Sequence, residues 1–405
     1  MQLARTLAAR GHEVLHLHST TFQTPKASLD HASSDPPSLV IDGVDLGEPF
    51  QKYSFVRRLF QERRYGGLLT ARLAAFGPDA VISANTPLDA QAAAQRWAER
   101  ADIPFVFWMQ DVYSVAIERV LRKRLGPIGG LLAGRFVRLE RRAAQRSAAV
   151  VVITPDFLPL LELWGIDAGR ISVVENWAPL DEITPLPKDN AWSREKGLAD
   201  VPVFLYAGTI GLKHDPSLLL DLAERLPDAR IVVISEGIGA DWLRDHGGET
   251  ANLTLLPFQP FDRLSEVLAT ADVLVAILES DAGAFSVPSK VLTALAAGRA
   301  ILGAIPRSNL AARTIERAGA GTVVDPGDRT GFIEAGRAML SDPTARQTAG
   351  RAARAYAESA FDIDTIADRF EAIVLDAVAS SARSRRTTES RMTGSPGEPV
   401  HQEDH

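Results

Sequence analysis

Short continuous apolar runs alternate with stretches of helical periodicity along most of the chain. A helix from Leu3 to Arg10, closed by Gly11, opens it; the strand EVLHLH (13–18) follows, then a polar, proline-rich loop to about residue 50. PDAVISANTP (78–87) reads as a strand leaving into a loop, and a helix covers 88–100. The strand IPFVFWMQD (103–111) ends on Asp111, and AAVVVITP (148–155) and ISVVENW (171–177) are further strands. VPVFLYAG (201–208), ARIVVISEG (229–237), NLTLLPF, ADVLVAIL (271–278), AILGAI (300–305) and GTVVD (321–325) repeat the pattern, with helices predicted at 216–226, 240–246, 261–270, 328–340, 343–359 and 362–379. Alternation of this kind calls for parallel sheets covered on both faces.

The densest stretch is AGAFSVPSKVLTALAAGRAILGA (282–304). Pro288 suits the first turn of a helix. Val291, Leu292, Leu295 and Ala296 share one helical face, and Gly298 stands where a C-terminal cap belongs. Ser286, Ser289 and Lys290 therefore occupy the mouth between a strand's carboxyl end and a helix N-terminus, where open α/β sheets bind anionic ligands. An ordinary βαβ connection with a solvated lysine is the alternative. A second mouth follows 201–208: Gly208 and Gly211 would let the backbone approach a diphosphate closely, with Lys213 and His214 directly after. The third glycine of a dinucleotide fingerprint is missing, which disfavours an NAD-linked dehydrogenase.

Composition narrows the classes. The 405 residues suggest two or three domains, at roughly 100–200 each. There is no cysteine, so disulfides, thiolate metal sites and a cysteine nucleophile are excluded. No run of 18 apolar residues occurs and the amino terminus lacks a signal peptide's apolar core, so a cytoplasmic location is expected.

The net charge of −7 is uneven. Residues 119–146 hold nine Lys/Arg and one acid, Glu140; residues 52–72 hold six, against Glu62 alone. Apolar residues interleave with these cations, and Leu132, Phe136, Leu139 and Ala143 fall on one helical face. A basic amphipathic helix can lie on an anionic bilayer, which suggests a peripheral protein at the inner face of the plasma membrane. A solvated helix packed on a sheet is compatible with the same pattern. Nucleic acid is disfavoured by the acidic total.

YAGTIGLKH, ADVLVAI, SVPSKVLTALAAGRA and GAGTVVDPGD, in that order, resemble the second domain of GT-B glycosyltransferases. The match is nearest to the family-4 (group 1) branch of colanic-acid and O-antigen transferases with a Pro-Ser-Lys motif. LARTLAARGHEV, PDAVISANTP, MQD, VVVITP and VENW fit the first domain. The resemblance implies an α/β fold of two facing Rossmann-like domains: an acceptor-side domain over 1–180, a linker over 181–200, and a nucleotide-sugar-binding domain over 201–361. A helix at 362–379 crosses back, and a disordered tail is expected over 380–405. It further implies a UDP- or GDP-sugar donor, retention at the anomeric carbon, no cofactor and no obligatory metal.

Two departures accompany it. Family members begin with a strand and a glycine-rich loop, whereas Met1 here opens the first helix, so the first domain is expected to lack that strand; a start codon placed too far downstream is the preferred account, a degenerate protein the other. The paired glutamates of the broader family would fall at Phe285 and Thr293. Lys290, Lys213 or His214, and the Gly208–Gly211 backbone are then the candidates for neutralising the leaving diphosphate, with Ser289 beside them. Asp111 is the candidate for orienting or deprotonating the acceptor hydroxyl, or else an N-cap. Glu236 and Gly237 correspond to the loop near the nucleotide, and Phe258 and Gln259 to the region of the base. Sugar transfer to a lipid-linked saccharide in surface-polysaccharide synthesis is the leading reading. A GT-B nucleotide-sugar epimerase, which would need acids where only Glu279 and Asp281 stand, and a non-catalytic partner protein are the alternatives.

Overall fold

A computed structural model describes residues 1–21, 29–51, 54–211, 214–280 and 286–393. The first half runs α1 (Gln2–Ala9), β1 (Val14–Ser19), β2 (Leu39–Val44), α2 (Phe55–Phe76), β3 (Val81–Ala84), α3 (Leu88–Arg100), β4 (Phe105–Met109), α4 (Tyr113–Arg146), β5 (Ala149–Val152), α5 (Leu158–Leu163) and β6 (Ile171–Val173). Its strands are all parallel and form two sheets, β1-β2 and β3-β4-β5-β6. Among the described residues no strand precedes α1. The strand β2 corrects the expectation of a loop reaching residue 50. Asp42 and Gly43 interrupt its apolar pattern, yet Leu39 and Val44 at its two ends are buried and hold it in register with β1.

The second half contains α6 (Ala191–Glu195), β7 (Val203–Ala207), α7 (Ser217–Arg225), β8 (Arg230–Ile234), α8 (Ile238–His246), β9 (Leu253–Leu256), α9 (Leu264–Thr270), β10 (Val273–Ile277), α10 (Ser289–Ala296), β11 (Ala300–Ala304), α11 (Leu310–Ala318), β12 (Gly321–Val324), α12 (Arg329–Ser341) and α13 (Pro343–Ala360). Six parallel strands lie in the order β12-β11-β10-β7-β8-β9. Successive residues of each strand enter opposite cores: Phe204, Tyr206, Val233 and Val275 one, Val203, Leu205, Val232 and Leu274 the other. Burial on both faces explains why these strands read as unbroken apolar runs.

Helix α4 is broken at Gly126 (φ 56°, ψ −136°) and Pro127, which turn it into a helical hairpin. Pro127 supplies no N–H and suits the start of the second arm. A Cβ on Gly129 would lie 2.1 Å from the Leu121 carbonyl oxygen, so only glycine lets the arms approach there. The segment 181–200 joins the halves but is fastened to the second: Arg299 and Arg354 donate to the carbonyls of Leu186 and Ile183 at 2.7 and 3.1 Å, and Trp192 is buried.

The chain then crosses back. Helix α14 (Ile363–Thr393) packs on α1 and β4, with Phe370 set against both Trp108 and Trp177 at centroid distances of 4.7 and 6.3 Å. The disordered tail expected from 380 is corrected as far as Thr393. The run 380–393 contains neither Pro nor Gly and continues the helix, with Arg385 bonded to the Asp102 carbonyl at 2.8 Å. Residues 394–405 lie outside the described residues.

Candidate functional site

Strand order in the second sheet reverses between β7 and β10, which is where open α/β sheets form their ligand crevice. Both glycine- and lysine-bearing stretches leave the sheet at that point. Gly208 follows β7 with φ +135°, a backbone conformation that L side chains avoid. Thr209 and Ile210 beyond it are held by hydrogen bonds. Tyr206 Oη donates to the Thr209 carbonyl at 3.1 Å, Ile210 N–H donates to Ser235 Oγ at 3.1 Å, and Gly239 N–H donates to the Ile210 carbonyl at 3.0 Å. A Cβ on Gly239 would sit 2.0 Å from Ile210 Cγ2, so the start of α8 is pressed against this loop.

Lys290 reaches the same place from α10. Pro288 is the N-cap, Ser289 is the exposed first helical residue, and Gly298 (φ +64°) follows the helix as expected. Lys290 Nζ lies 4.8 Å from the centroid of the Tyr206 ring, and its Cε is 3.4 Å from where a Gly208 Cβ would stand. The cation–π contact and the packed stem hold the ammonium over the loop.

The third member is His214. Gly211 N–H donates to His214 Nδ1 at 3.1 Å, which assigns the neutral ring's proton to Nε2. That atom lies 3.4 Å from Lys290 Nζ. Two groups that both carry hydrogens thus converge beside the Gly208 backbone, an arrangement that an anion would complete. Lys213, placed in this cluster by the sequence, lies outside the described residues, as do Asp281 and Phe285.

The other second-domain candidates separate. Glu236 and Gly237 (φ +99°) are exposed on the loop into α8, beside the pinned segment. Phe258 packs against the core. Gln259 accepts from Trp192 Nε1 at 3.0 Å and donates to the Pro257 carbonyl at 2.8 Å, so its amide fastens α6. Thr293 donates to the Lys290 carbonyl at 2.9 Å. Glu279 is bound by Arg119 of α4 at 3.1 Å, across the two halves.

Asp111 leaves β4, and α4 begins two residues later with Val112 at the N-cap position. The cap reading of Asp111 is corrected: the carboxylate of Glu140, from the hairpin's second arm, accepts the N–H groups of Tyr113 and Ser114, each at 2.9 Å. Glu140 is fully buried, and burial chiefly pushes its pKa up to about 7, with Asp111 adding repulsion. Tyr113 Oη donates to Asn85 Oδ1 and Asn85 Nδ2 to Gln110 Oε1, both at 3.0 Å. Asn85 holds φ +52° after β3, a conformation Asn tolerates better than most residues. Asn85, Gln110, Tyr113 and Glu140 escaped the sequence reading. The one available signal was a lone acid inside a cationic helix.

The basic helices are also rearranged relative to expectation. Ala143 is core and Phe136 and Leu139 are partly covered, so the predicted apolar stripe turns inward from Phe136 on, whereas Leu132 at its start is exposed. Arg135 is bound to Asp89, Arg58 to Glu62 and Arg72 to Asp42. No helix among the described residues is long and apolar enough to cross a membrane.

Residues 1–177 match the model of the glycosyl transferase 4-like domain, and residues 201–342 that of glycosyl transferases group 1. The D-inositol 3-phosphate glycosyltransferase of Xylanimonas cellulosilytica is 29% identical over 261 residues, 59% of this chain and 57% of the relative, so less than two thirds of its length is spanned. The structure of sucrose-phosphate synthase from Thermosynechococcus elongatus aligns with a TM-score of 0.73 at 16% identity, over 94% of this chain and 92% of that one. HepE of Anabaena, solved in complex with UDP-glucose, aligns at 0.61 and 17% identity, over 78% and 83%. The chain belongs to the GT-B glycosyltransferases of group 1.

Proposed function

We propose that the chain transfers a sugar, with retention and without an obligatory metal, from a UDP- or GDP-sugar to a lipid-linked saccharide during surface-polysaccharide assembly. The observation that carries the donor half is the convergence of Lys290 Nζ and His214 Nε2, 3.4 Å apart, over the Gly208–Gly211 loop at the sheet's switch point. In the reaction the anomeric C–O bond to the diphosphate breaks as the bond to the acceptor oxygen forms. Negative charge grows on the leaving oxygen, and donors already in place stabilise it without reorganisation. Lys290, His214 and the loop N–H groups fill that role, with Ser289 at the start of α10. Pro288-Ser289-Lys290 is the Pro-Ser-Lys motif that relates the chain to the family-4 polysaccharide transferases. HepE, of the same fold, was solved with UDP-glucose, which supports a nucleotide-sugar donor.

On the acceptor side, Asp111 stands at the carboxyl end of β4 beside the Asn85–Gln110–Tyr113 network and receives the proton of the attacking hydroxyl or orients it. The epimerase alternative loses support because Glu279 is engaged with Arg119. Calorimetry with UDP, GDP and their sugars tests the proposal. Binding of one nucleotide family by the parent, weakened by Lys290→Ala with the melting temperature unchanged, supports it. Unchanged affinity in that variant refutes the assignment of Lys290.

A further inference from the structure

His214 is followed at once by a carboxylate, the wrong charge to place beside a diphosphate. Consecutive Cα atoms stand about 3.8 Å apart, well inside the Debye length of about 10 Å at 0.1 M salt, so an anion accepting from His214 feels Asp215. That carboxylate is engaged on both oxygens. Oδ1 accepts from the Ser217 N–H at 3.0 Å and from Ser217 Oγ at 2.6 Å, which closes the turn through Pro216 into α7. Oδ2 accepts from Arg329 Nη2 at 2.7 Å. The same guanidinium donates to Ser217 Oγ and to Asp221 Oδ2, a turn further along α7. One side chain of α12 thus neutralises the acid adjoining the donor loop and holds the turn that follows His214.

The two helices do not depend on Arg329 to stay together. Phe332 of α12 is fully buried with Leu218 and Leu222 of α7, and a Cβ on Gly336 would lie 2.9 Å from Leu222 Cδ1, so apolar packing already fixes them. Arg329 stands at the first position of α12, the end at which a cation opposes the helix dipole. Its side chain is 47% exposed and its two acidic partners 36% and 34%. Ion pairs that wet contribute about 0–1 kcal/mol to stability. The cluster is therefore weak as a fastening and well placed as a charge mask.

We infer that, on the nucleotide-sugar donor reading proposed above, Arg329 is a positioning residue of the donor site. It masks the charge of Asp215 and sets His214 where, with Lys290, it meets the diphosphate. Arg329 acts through Asp215 and Ser217, 114 and 112 positions away, rather than by contact with the nucleotide.

Calorimetric titration of the parent, Arg329→Gln, Asp215→Asn and the double variant with UDP and GDP tests this role, with melting temperatures read on the same samples. Arg329→Gln is expected to weaken affinity for the nucleotide that the parent binds by about three- to tenfold, the coupling usual within one salt-bridged network. It should melt within about 2 °C of the parent, because the lost pairs are exposed. Asp215→Asn keeps an acceptor for Ser217 and removes the charge, so it should bind at least as tightly as the parent. The double variant should recover most of the affinity lost in Arg329→Gln, since the carboxylate to be masked is gone. A role confined to fastening α12 on α7 predicts no such recovery. Equal affinity in the parent and Arg329→Gln overturns the inference, as does a loss that the double variant leaves uncorrected, or an Arg329→Gln protein that melts well below the parent. A parent that binds neither UDP nor GDP sinks the donor reading and this role together, whereas parental binding with indifferent variants removes Arg329 alone.

Discussion

Lys290, in the first turn of α10, and His214, on the loop after β7, are 76 positions apart and meet with Nζ 3.4 Å from Nε2, the imidazole held by the Gly211 N–H on its other nitrogen. An anion placed beside them would accept from both. Each charge-assisted bond to a diphosphate contributes about 1.5–3 kcal/mol. Lys290→Ala is therefore expected to weaken nucleotide affinity about ten- to hundredfold. His214→Ala should cost less, and the double variant less than the sum, because both donors serve one ligand. Calorimetric titration of the four proteins measures the coupling; strictly additive losses would show that the two side chains act on separate ligands or none.

Gly208 tests the loop rather than the cations. At φ +135° an alanine carries strain of about 1–3 kcal/mol, and its Cβ would stand 3.4 Å from Lys290 Cε. Gly208→Ala is expected to lower the melting temperature by a few degrees and to weaken nucleotide binding by displacing the ammonium. A variant that melts lower yet binds nucleotide as the parent does would detach the loop from the donor site.

Glu140 makes a prediction in pH. Its pKa rises from 4.5 in the unfolded chain to about 7 in the fold, chiefly through burial. Between those values the folded state holds a proton that the unfolded state has released, so stability falls as pH rises through the window. The full penalty, roughly 3 kcal/mol at 1.36 kcal/mol per unit, is reached above pH 7. Glu140→Gln keeps an acceptor for the α4 N-terminus and removes the titration. Its denaturation midpoint should change less than the parent's between pH 5 and pH 8. Parallel pH profiles for the two proteins would contradict this assignment.

The parts of this architecture legible in the sequence are those where neighbouring residues share one environment. β10, α10 and β11 were readable because both sheet faces are covered, and α3 was placed at 88–100 because its periodicity is unbroken. β2 was not, since Asp42 and Gly43 leave only a short apolar signal and register with β1 does the rest. The continuation of α14 past 380 was hidden by a composition that suits either a tail or a helix end, and contacts such as Arg385 with Asp102 accompany the helical outcome. In the site, Gly208 and Lys290 could be found locally. The cap from Glu140 to Ser114 could not, because it spans 26 positions and exists only once Gly126 and Pro127 fold α4 back. Gln259 has a structural partner that its position does not reveal: its amide accepts from Trp192.

The crossover helix yields the largest expected stability effect. Phe370 is fully buried, tilted against Trp108 and edge-on to Trp177, and those two indoles stack at 5.7 Å. Removing its ring leaves a cavity between β4, the end of the first half and α14, where large-to-small changes cost about 3–5 kcal/mol. The ion pairs of Arg10 with Asp368 and Glu371 are partly exposed and contribute little in compensation. Phe370→Ala is therefore expected to loosen α14 from the first half before it affects the second sheet. Hydrogen exchange resolves the order: amides of α14 and α1 should lose protection first, while β7, β10 and β11 keep theirs. Uniform loss of protection across both halves would mean instead that the two halves unfold as one cooperative unit, with the crossover helix as their shared core.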